Sequence, residues 1–352
     1  MTTIDPLRAT CPAPAAETER VLLGHGSGGR LMAELLDDVI AGGLGETGPL
    51  EDAALIGLGD VDVVFSTDSF VVTPRFFPGG DIGSLAVYGT VNDLAMRGAR
   101  PVALSLAYVL EEGLPLDELR AITASVAAAA RECGIHVVTG DTKVVGRGAA
   151  DGAYLTTAGI GVRLLDAYPS AANGMAGDVV LLSGPIGAHG TAIMSAREGL
   201  GFESEIHSDS RPLHELVAAM IAAGGPQVHT LRDPTRGGLA GALNELAEAS
   251  DVAVEVDDAA LPVPPQVASA CELLGLDPLH VANEGCLVAF VAPAAADPVL
   301  TAMRAHPAGR YARAIGVVRE TARDLPRVTA RTLVGARRVV DMLIGEQLPR
   351  IC

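Results

Sequence analysis

The chain ends on a cysteine, Cys352, which follows Pro349-Arg350-Ile351 in the closing segment GEQLPRIC. A thiolate is a strong nucleophile, and Arg350 offsets part of the opposing effect of the terminal carboxylate. The seven residues after Gly345 reach roughly 23–25 Å at about 3.3–3.6 Å each, enough to carry a thiol into and out of a cleft. The plain alternative is an inert terminal cysteine. A prenylation signal is excluded, because it places the cysteine fourth from the end. Lys143 is the second candidate. Of 25 Lys plus Arg residues it is the sole lysine. Lysine sheds a proton when desolvated whereas arginine does not, so its place two residues after Asp141 suggests proton transfer or phosphate handling. Chance placement on the surface is the competing reading. Glu284, in Asn283-Glu284-Gly285 before an apolar run, is either a general base with a burial-raised pKa or an ordinary turn glutamate.

Asp68, Asp93, Asp141 and Asp233 fall at strand ends or beside helices among small residues. Carboxylates converging from separate segments are what a Mg²⁺–nucleotide site requires, yet taken singly each reads equally as a turn or capping residue. Gly24–Gly29 and Arg236–Gly238 each set glycines before a helix, where backbone N–H groups can approach phosphate. Neither is a Walker loop, since no G-K-[ST] follows. Both also read as ordinary turns.

The elements that must position these residues alternate. The sequence predicts a strand over Asp60–Asp68, a helix capped by Asp81 and stopped by Gly98, and a strand over Pro101–Leu110. A helix over Pro115–Cys133 and a short strand, Ile135–Thr139, follow; the strand ends in a turn, Gly140-Asp141-Thr142-Lys143. A further strand over Ala153–Val162 precedes a boundary near 164–176, and strand, Gly-rich turn and helix then recur. The expected units are a lead-in with a Gly-rich loop (1–50), a nucleotide-binding and dimerisation domain (51–165), a C-terminal α/β domain (166–344) and a mobile tail (345–352). The fold class is α/β, mixed α+β. A net charge of −18, no Trp and 3% aromatics exclude a nucleic-acid surface. No long apolar run or secretory leader is found, and five scattered cysteines give no disulfide or zinc pattern, so the chain reads as cytoplasmic.

Together LLGHGSGGRL (22–31), Gly79–Gly98, Gly140–Val144, MSAREGLGFES (194–204), DPTRGGLA (233–240), Ala282–Gly285 and PRIC resemble the HypE family of hydrogenase maturation proteins, the carbamoyl dehydratases. The Asn92-Asp93, Asp141 and Asp233 motifs are shared with the wider group of aminoimidazole ribonucleotide synthetase, selenophosphate synthetase and thiamine-monophosphate kinase, the PurM-like enzymes. The resemblance implies two α/β domains, a homodimer through the first, and ATP with Mg²⁺. It implies nucleotide contacts from Gly28, Gly29, Asn92, Asp93, Asp141, Thr142, Thr235, Arg236, Gly237 and Gly238, and metal ligands in Asp68, Asp93, Asp141 and Asp233. A carbamoyl group loaded on Cys352 by the carbamoyltransferase HypF would be dehydrated to thiocyanate, with Lys143 or Glu284 taking a proton. A HypC–HypD scaffold would accept the cyanide. A phosphotransferase or ligase acting on a free substrate, and a nucleotide-gated scaffold, are the competing functions.

Overall fold

The computed structural model describes residues 20–44, 50–199, 206–322, 325–343 and 350–352. The expected lead-in over 1–19, the end of the 194–204 motif and residues 345–349 of the tail lie outside them.

Helices α1 (Arg30–Leu35) and α2 (Gly42–Leu44) flank a π-helical turn, Leu36–Ala41. The first unit then runs β1 (Ala54–Leu58), β2 (Val61–Phe70), the short β3 (Phe76–Phe77) and β4 (Gly80–Asp81), and α3 (Ile82–Met96). It continues with β5 (Ala99–Glu111), α4 (Leu116–Glu132), β6 (His136–Val145) and β7 (Ala153–Arg163). Its five-stranded sheet has the order β1-β2-β7-β5-β6. Asp81 caps α3, accepting from Gly83 N at 2.6 Å and Ser84 N at 3.2 Å, while Ser84 Oγ accepts from Asp81 N. This reciprocal cap fixes the helix start that the sequence announces. Gly98 ends it in the left-handed region (φ 66°), where a Cβ would sit 2.7 Å from that of Ala167.

The second unit comprises β8 (Val179–Leu182), α5 (Ala188–Glu198), α6 (His214–Gly224), β9 (Val228–Arg232), α7 (Gly238–Ala249) and β10 (Val252–Asp257). There follow α8 (Pro265–Leu274), β11 (Val288–Val291), α9 (Pro293–Ala305), β12 (Arg313–Glu320), β13 (Val328–Arg331) and β14 (Arg337–Val339). Its seven-stranded sheet runs β14-β13-β10-β12-β8-β11-β9, with α7 packed in the core on one side and α6 with α9 on the other.

Two features decide what the site can be. One core cluster joins the units: Phe70, Leu85, Ile122 and Leu155 of the first pack with Ile193, Val267 and Val281 of the second, and with Ile351 from the chain's end. Among the described residues, by contrast, the sheet of the first unit is covered on one face only. Val61, Phe65, Ile160 and Val162 share the other face and are exposed.

Candidate active site

Three carboxylates gather where the units meet. One oxygen each of Asp52, Asp93 and Asp233 lies within 4.8 Å of the others. Asp52 precedes β1, Asp93 projects from α3, and Asp233 follows β9, so two sheets and a helix converge on one point. Ser66 Oγ donates to Asp93 Oδ2 at 2.8 Å, and Arg232 pairs with Asp52 at 3.2 Å and with Glu245. Asp68, from β2, lies close enough to both Asp93 and Asp233 to perturb them. Burial is the first cause of every shift here; carboxylates add to it at Asp52, Asp93 and Asp233, while Arg232 opposes it at Asp52 and Asp233 and Arg236 at Asp68. Asp52 is raised to about 6 and Asp233 to about 8, while Asp93 and Asp68 also stand above the ordinary value. Such a cluster holds protons because burial disfavours the charged carboxylates more than Arg232 and Arg236 offset it. Hard oxygen donors with unmet negative charge are the set that suits Mg²⁺. The residues present fit that ion.

The chain's own terminus lies beside this cluster. Val71 N donates to Cys352 O at 3.0 Å and Thr73 N to Arg350 O at 3.2 Å, so the last residues lie along the stretch that follows β2. His189, fully buried on α5, donates from Nε2 to Ile351 O at 2.6 Å while Ser208 Oγ meets its Nδ1 at 2.8 Å. Arg197 bonds both Thr73 O and Arg350 O, at 2.8 and 2.9 Å. Arg350 turns the tail inward at φ 53° and forms an ion pair with Asp151. Ile351 is 2% exposed.

Beyond it the Cys352 thiol is within electrostatic reach of Arg236, Glu284, Asp68 and Asp233. Burial pushes the thiol up to about 12, and Arg236 only partly opposes this. Glu284, 3% exposed, is held by its backbone: Asp209 accepts from Glu284 N at 3.1 Å and Gly285 N at 3.0 Å. Its Oε1 finds no hydrogen-bond partner among the described residues, and burial followed by Asp233 raises its pKa well above normal. A buried carboxyl with a raised pKa and one oxygen without a partner beside a thiol is a candidate for proton transfer.

Two family models match: AIR synthase related protein, N-terminal domain, over residues 50–163, and its C-terminal domain over 175–327. The carbamoyl dehydratase HypE of Cupriavidus necator is 53% identical over 336 residues, covering 95% of each chain. The chain belongs to the HypE carbamoyl dehydratases. Two solved HypE structures agree in fold. One is a HypE–HypF complex, 45% identical, with a TM-score of 0.83 over 88% of this chain and 99% of that one. The other is HypE in complex with ATP, 45% identical, with a TM-score of 0.80 over 95% of this chain and 100% of that one. No helix among the described residues is long and apolar enough to cross a membrane.

Several residues expected at the HypE site stand elsewhere in the single chain. Gly140–Lys143 form no turn but continue β6, paired in register with Leu106–Val109 of β5. Gly140 is needed for that pairing, since a Cβ there would meet Leu106 O at 2.2 Å. Asp141, Ala107, Thr156 and Ser69 form one cross-strand row. Asp68, one residue on from Thr67 and before Ser69, therefore points to the opposite face of the sheet from Asp141. Asp141 is exposed, accepts from Thr142 N at 2.8 Å and pairs with Lys143 at 2.5 Å. Within one chain, neither it nor Lys143 joins the acidic cluster.

Asn92 is 1% exposed and spends its amide on the backbone, donating to Arg211 O at 3.1 Å and accepting from Leu213 N at 2.8 Å. It ties the units together. Gly28 packs against the backbone and Cβ of Arg236, and Gly237 against Gly28 O, each with under 3 Å for an added Cβ. Gly29 and Gly238 face Leu343 O and Leu279 O in the same way, so these glycines serve close backbone approach here. Thr235 N closes the loop on Asp233 O at 3.0 Å. Sequence reasoning did not single out Asp52, Asp209 or Arg197.

Proposed function

We propose that this enzyme dehydrates a carbamoyl group borne on the sulfur of Cys352 to a thiocyanate, with ATP converted to ADP and phosphate, and so supplies cyanide for the iron of a [NiFe]-hydrogenase. The observation that carries this is the placement of Cys352, held by both units and lying beside Arg236, Glu284 and the acidic cluster. A carbamoyl oxygen is a poor leaving group, and phosphorylation converts it into a good one. The carboxamide oxygen attacks the γ-phosphorus of ATP and ADP departs. That oxygen then leaves the carbon as phosphate while the nitrogen gives up both of its protons. The net change is loss of one water from S–C(=O)–NH₂ to give S–C≡N.

Glu284 suits the proton transfer: burial makes its carboxylate a stronger base than an ordinary glutamate, and Oε1 has no other claim on it. Arg236, a permanent cation within electrostatic reach of Cys352, Asp68 and Glu284, suits the charge that develops on phosphate. Asp52, Asp93 and Asp233, with Asp68 beside them, would hold Mg²⁺. The ion, when bound, supplies neutralisation of the nucleotide phosphates.

The seat disfavours a thiolate, since a thiol pushed to about 12 stays protonated. Nucleophilic loading therefore belongs outside it, on a tail that has swung to HypF, and a neutral S-carbamoyl group returns. Delivery of cyanide to a HypC–HypD scaffold also takes place with the tail out, in the cytoplasm. We divide the chain for these purposes at 50/51, 165/166 and 344/345.

The exposed apolar face of the first sheet fits a homodimer formed face to face. Asp141, Thr142 and Lys143 enter the chemistry, on this reading, from the edge strand of that face once a second copy covers it. A phosphotransferase acting on a free substrate would leave its acceptor position open, whereas here the terminus occupies it.

Cys352→Ser tests the function. ATP binding measured by calorimetry stays within about twofold, and no thiocyanate forms on the intact protein after incubation with carbamoyl donor, loading enzyme and ATP. Thiocyanate on the variant overturns the reading.

A further inference from the structure

Among the described residues, the bonds that hold the terminus come from outside the tail and bear on Arg350, Ile351 and Cys352. Val71 N and Thr73 N, in the stretch that follows β2, donate to the Cys352 and Arg350 carbonyls, so backbone groups from elsewhere in the fold hold the terminus as they would hold a bound peptide. His189 reads the Ile351 carbonyl, Arg197 the Arg350 carbonyl, and Asp151 the Arg350 guanidinium. The Ile351 side chain is buried in the core cluster that also holds Phe70, Val72 and Ile82. A groove of about 790 Å³ opens beside Arg350, lined by Arg75, Glu118 and Arg147, and gives room for residues ahead of the arginine in a longer peptide.

We propose that residues 71–73, Asp151, His189 and Arg197 form a receptor for a C-terminal Arg-Ile-Cys sequence that works without the covalent tether, so that it binds a free peptide ending in that sequence. The inference rests on the reading that the seated tail is the enzyme's substrate. It adds that the tail is selected by side-chain recognition as well as by proximity. Ile351 is the chief determinant, and His189 and Arg197 are positioning residues that set the depth of the sulfur.

The test uses full-length chain carrying Ile351→Glu, whose own tail cannot seat, and a fluorescein-labelled peptide Pro-Arg-Ile-Cys with a free carboxylate under reducing conditions. Fluorescence anisotropy rises saturably with protein concentration. Replacing the peptide's isoleucine by alanine weakens binding about tenfold or more, from the apolar area lost. His189→Ala in the Ile351→Glu chain weakens it about fivefold, the loss of one hydrogen bond, and His189→Gln, which keeps a donor, recovers it. The wild-type chain binds the peptide more weakly than Ile351→Glu, because its tail competes at high effective concentration. If Ile351→Glu fails to melt cooperatively, Cys352→Arg, which sets bulk and charge against Arg236, ejects the tail in its place.

No saturable binding up to millimolar protein, or equal binding of the isoleucine and alanine peptides, overturns the proposal. The two readings fail separately. Thiocyanate formed on Cys352 without peptide binding refutes recognition in trans alone, and peptide binding without thiocyanate refutes the chemistry alone.

Discussion

The acidic cluster makes a stability prediction whose sign is fixed by geometry. Asp233 holds its proton to about pH 8 in the folded chain, against an ordinary carboxylate value of 3.8 once unfolded. The folded state therefore binds more protons than the unfolded one across that window, and stability falls as pH rises through it. From pH 5 to pH 8 a lone carboxyl of this kind would cost about 4 kcal/mol, three pH units at about 1.36 kcal/mol each. Asp52, Asp68 and Asp93 share the protons, so removing one member recovers about half, ~2 kcal/mol. The perturbation is Asp233→Asn, which keeps the shape and removes the charge.

Measured by calorimetry without divalent ions, the variant melts about 4–8 °C above wild type at pH 8, at about 2–4 °C per kcal/mol. The gap narrows towards pH 5. Exposed Asp141 and Asp257, whose values are lowered, act only below their ordinary range and do not enter this window. The buried His189 and His214, lowered as well, are common to both chains and cancel in the difference. Millimolar Mg²⁺ at pH 8 reverses the order, raising wild type and leaving the variant nearly unmoved. A variant that melts below wild type at pH 8 without metal, or a gap independent of pH, refutes the reasoning.

Glu284→Gln lowers the rate of thiocyanate formation about 10²–10⁴-fold in single-turnover assays, while the peptide bond network that seats the tail is kept. Asn92→Leu loses the tie between α3 and the 211–213 backbone, lowering stability by about 2–3 kcal/mol in urea titration; ATP affinity stays within about twofold. Gly28→Ala cannot be accommodated against Arg236 without shifting one loop, and costs about 1–3 kcal/mol in the same assay. Lys143→Ala leaves monomer stability unchanged within about 0.5 kcal/mol, since its ion pair with Asp141 is exposed. Sedimentation at several concentrations shows whether any loss of activity follows dimer dissociation.

Local chemistry was legible where one residue type has one use. Asp81 with Ser84, and Gly98, mark both ends of α3 in sequence as in space. The terminal cysteine stood out because nothing structural needs it there. What could not be read was convergence. Asp52 sits in a plain Glu-Asp-Ala stretch with no glycine or turn signal, and only the packing of β1 against β2 and of β9 across the unit boundary brings it to Asp233.

Gly140-Asp141 carries turn chemistry, yet β5 offers a free edge, and pairing along Leu106–Val109 holds these residues extended. The alternation of strand side chains then sends Asp141 to one face of the sheet and Asp68 to the other, a consequence of register that local composition does not record. Asn92 and Asp93 are adjacent on α3 yet face different surroundings: Asp93 joins the acidic cluster, while Asn92 meets the 211–213 backbone.

The measurement closest to the central claim is mass spectrometry of the intact chain, followed by mapping of its C-terminal peptide, after carbamoylation and then ATP. The account predicts loss of one water from the carbamoylated protein, located on Cys352, with one phosphate released per molecule. A carbamoyl group that persists unchanged on Cys352 while ATP is consumed, or water lost from a group on another cysteine, would contradict it.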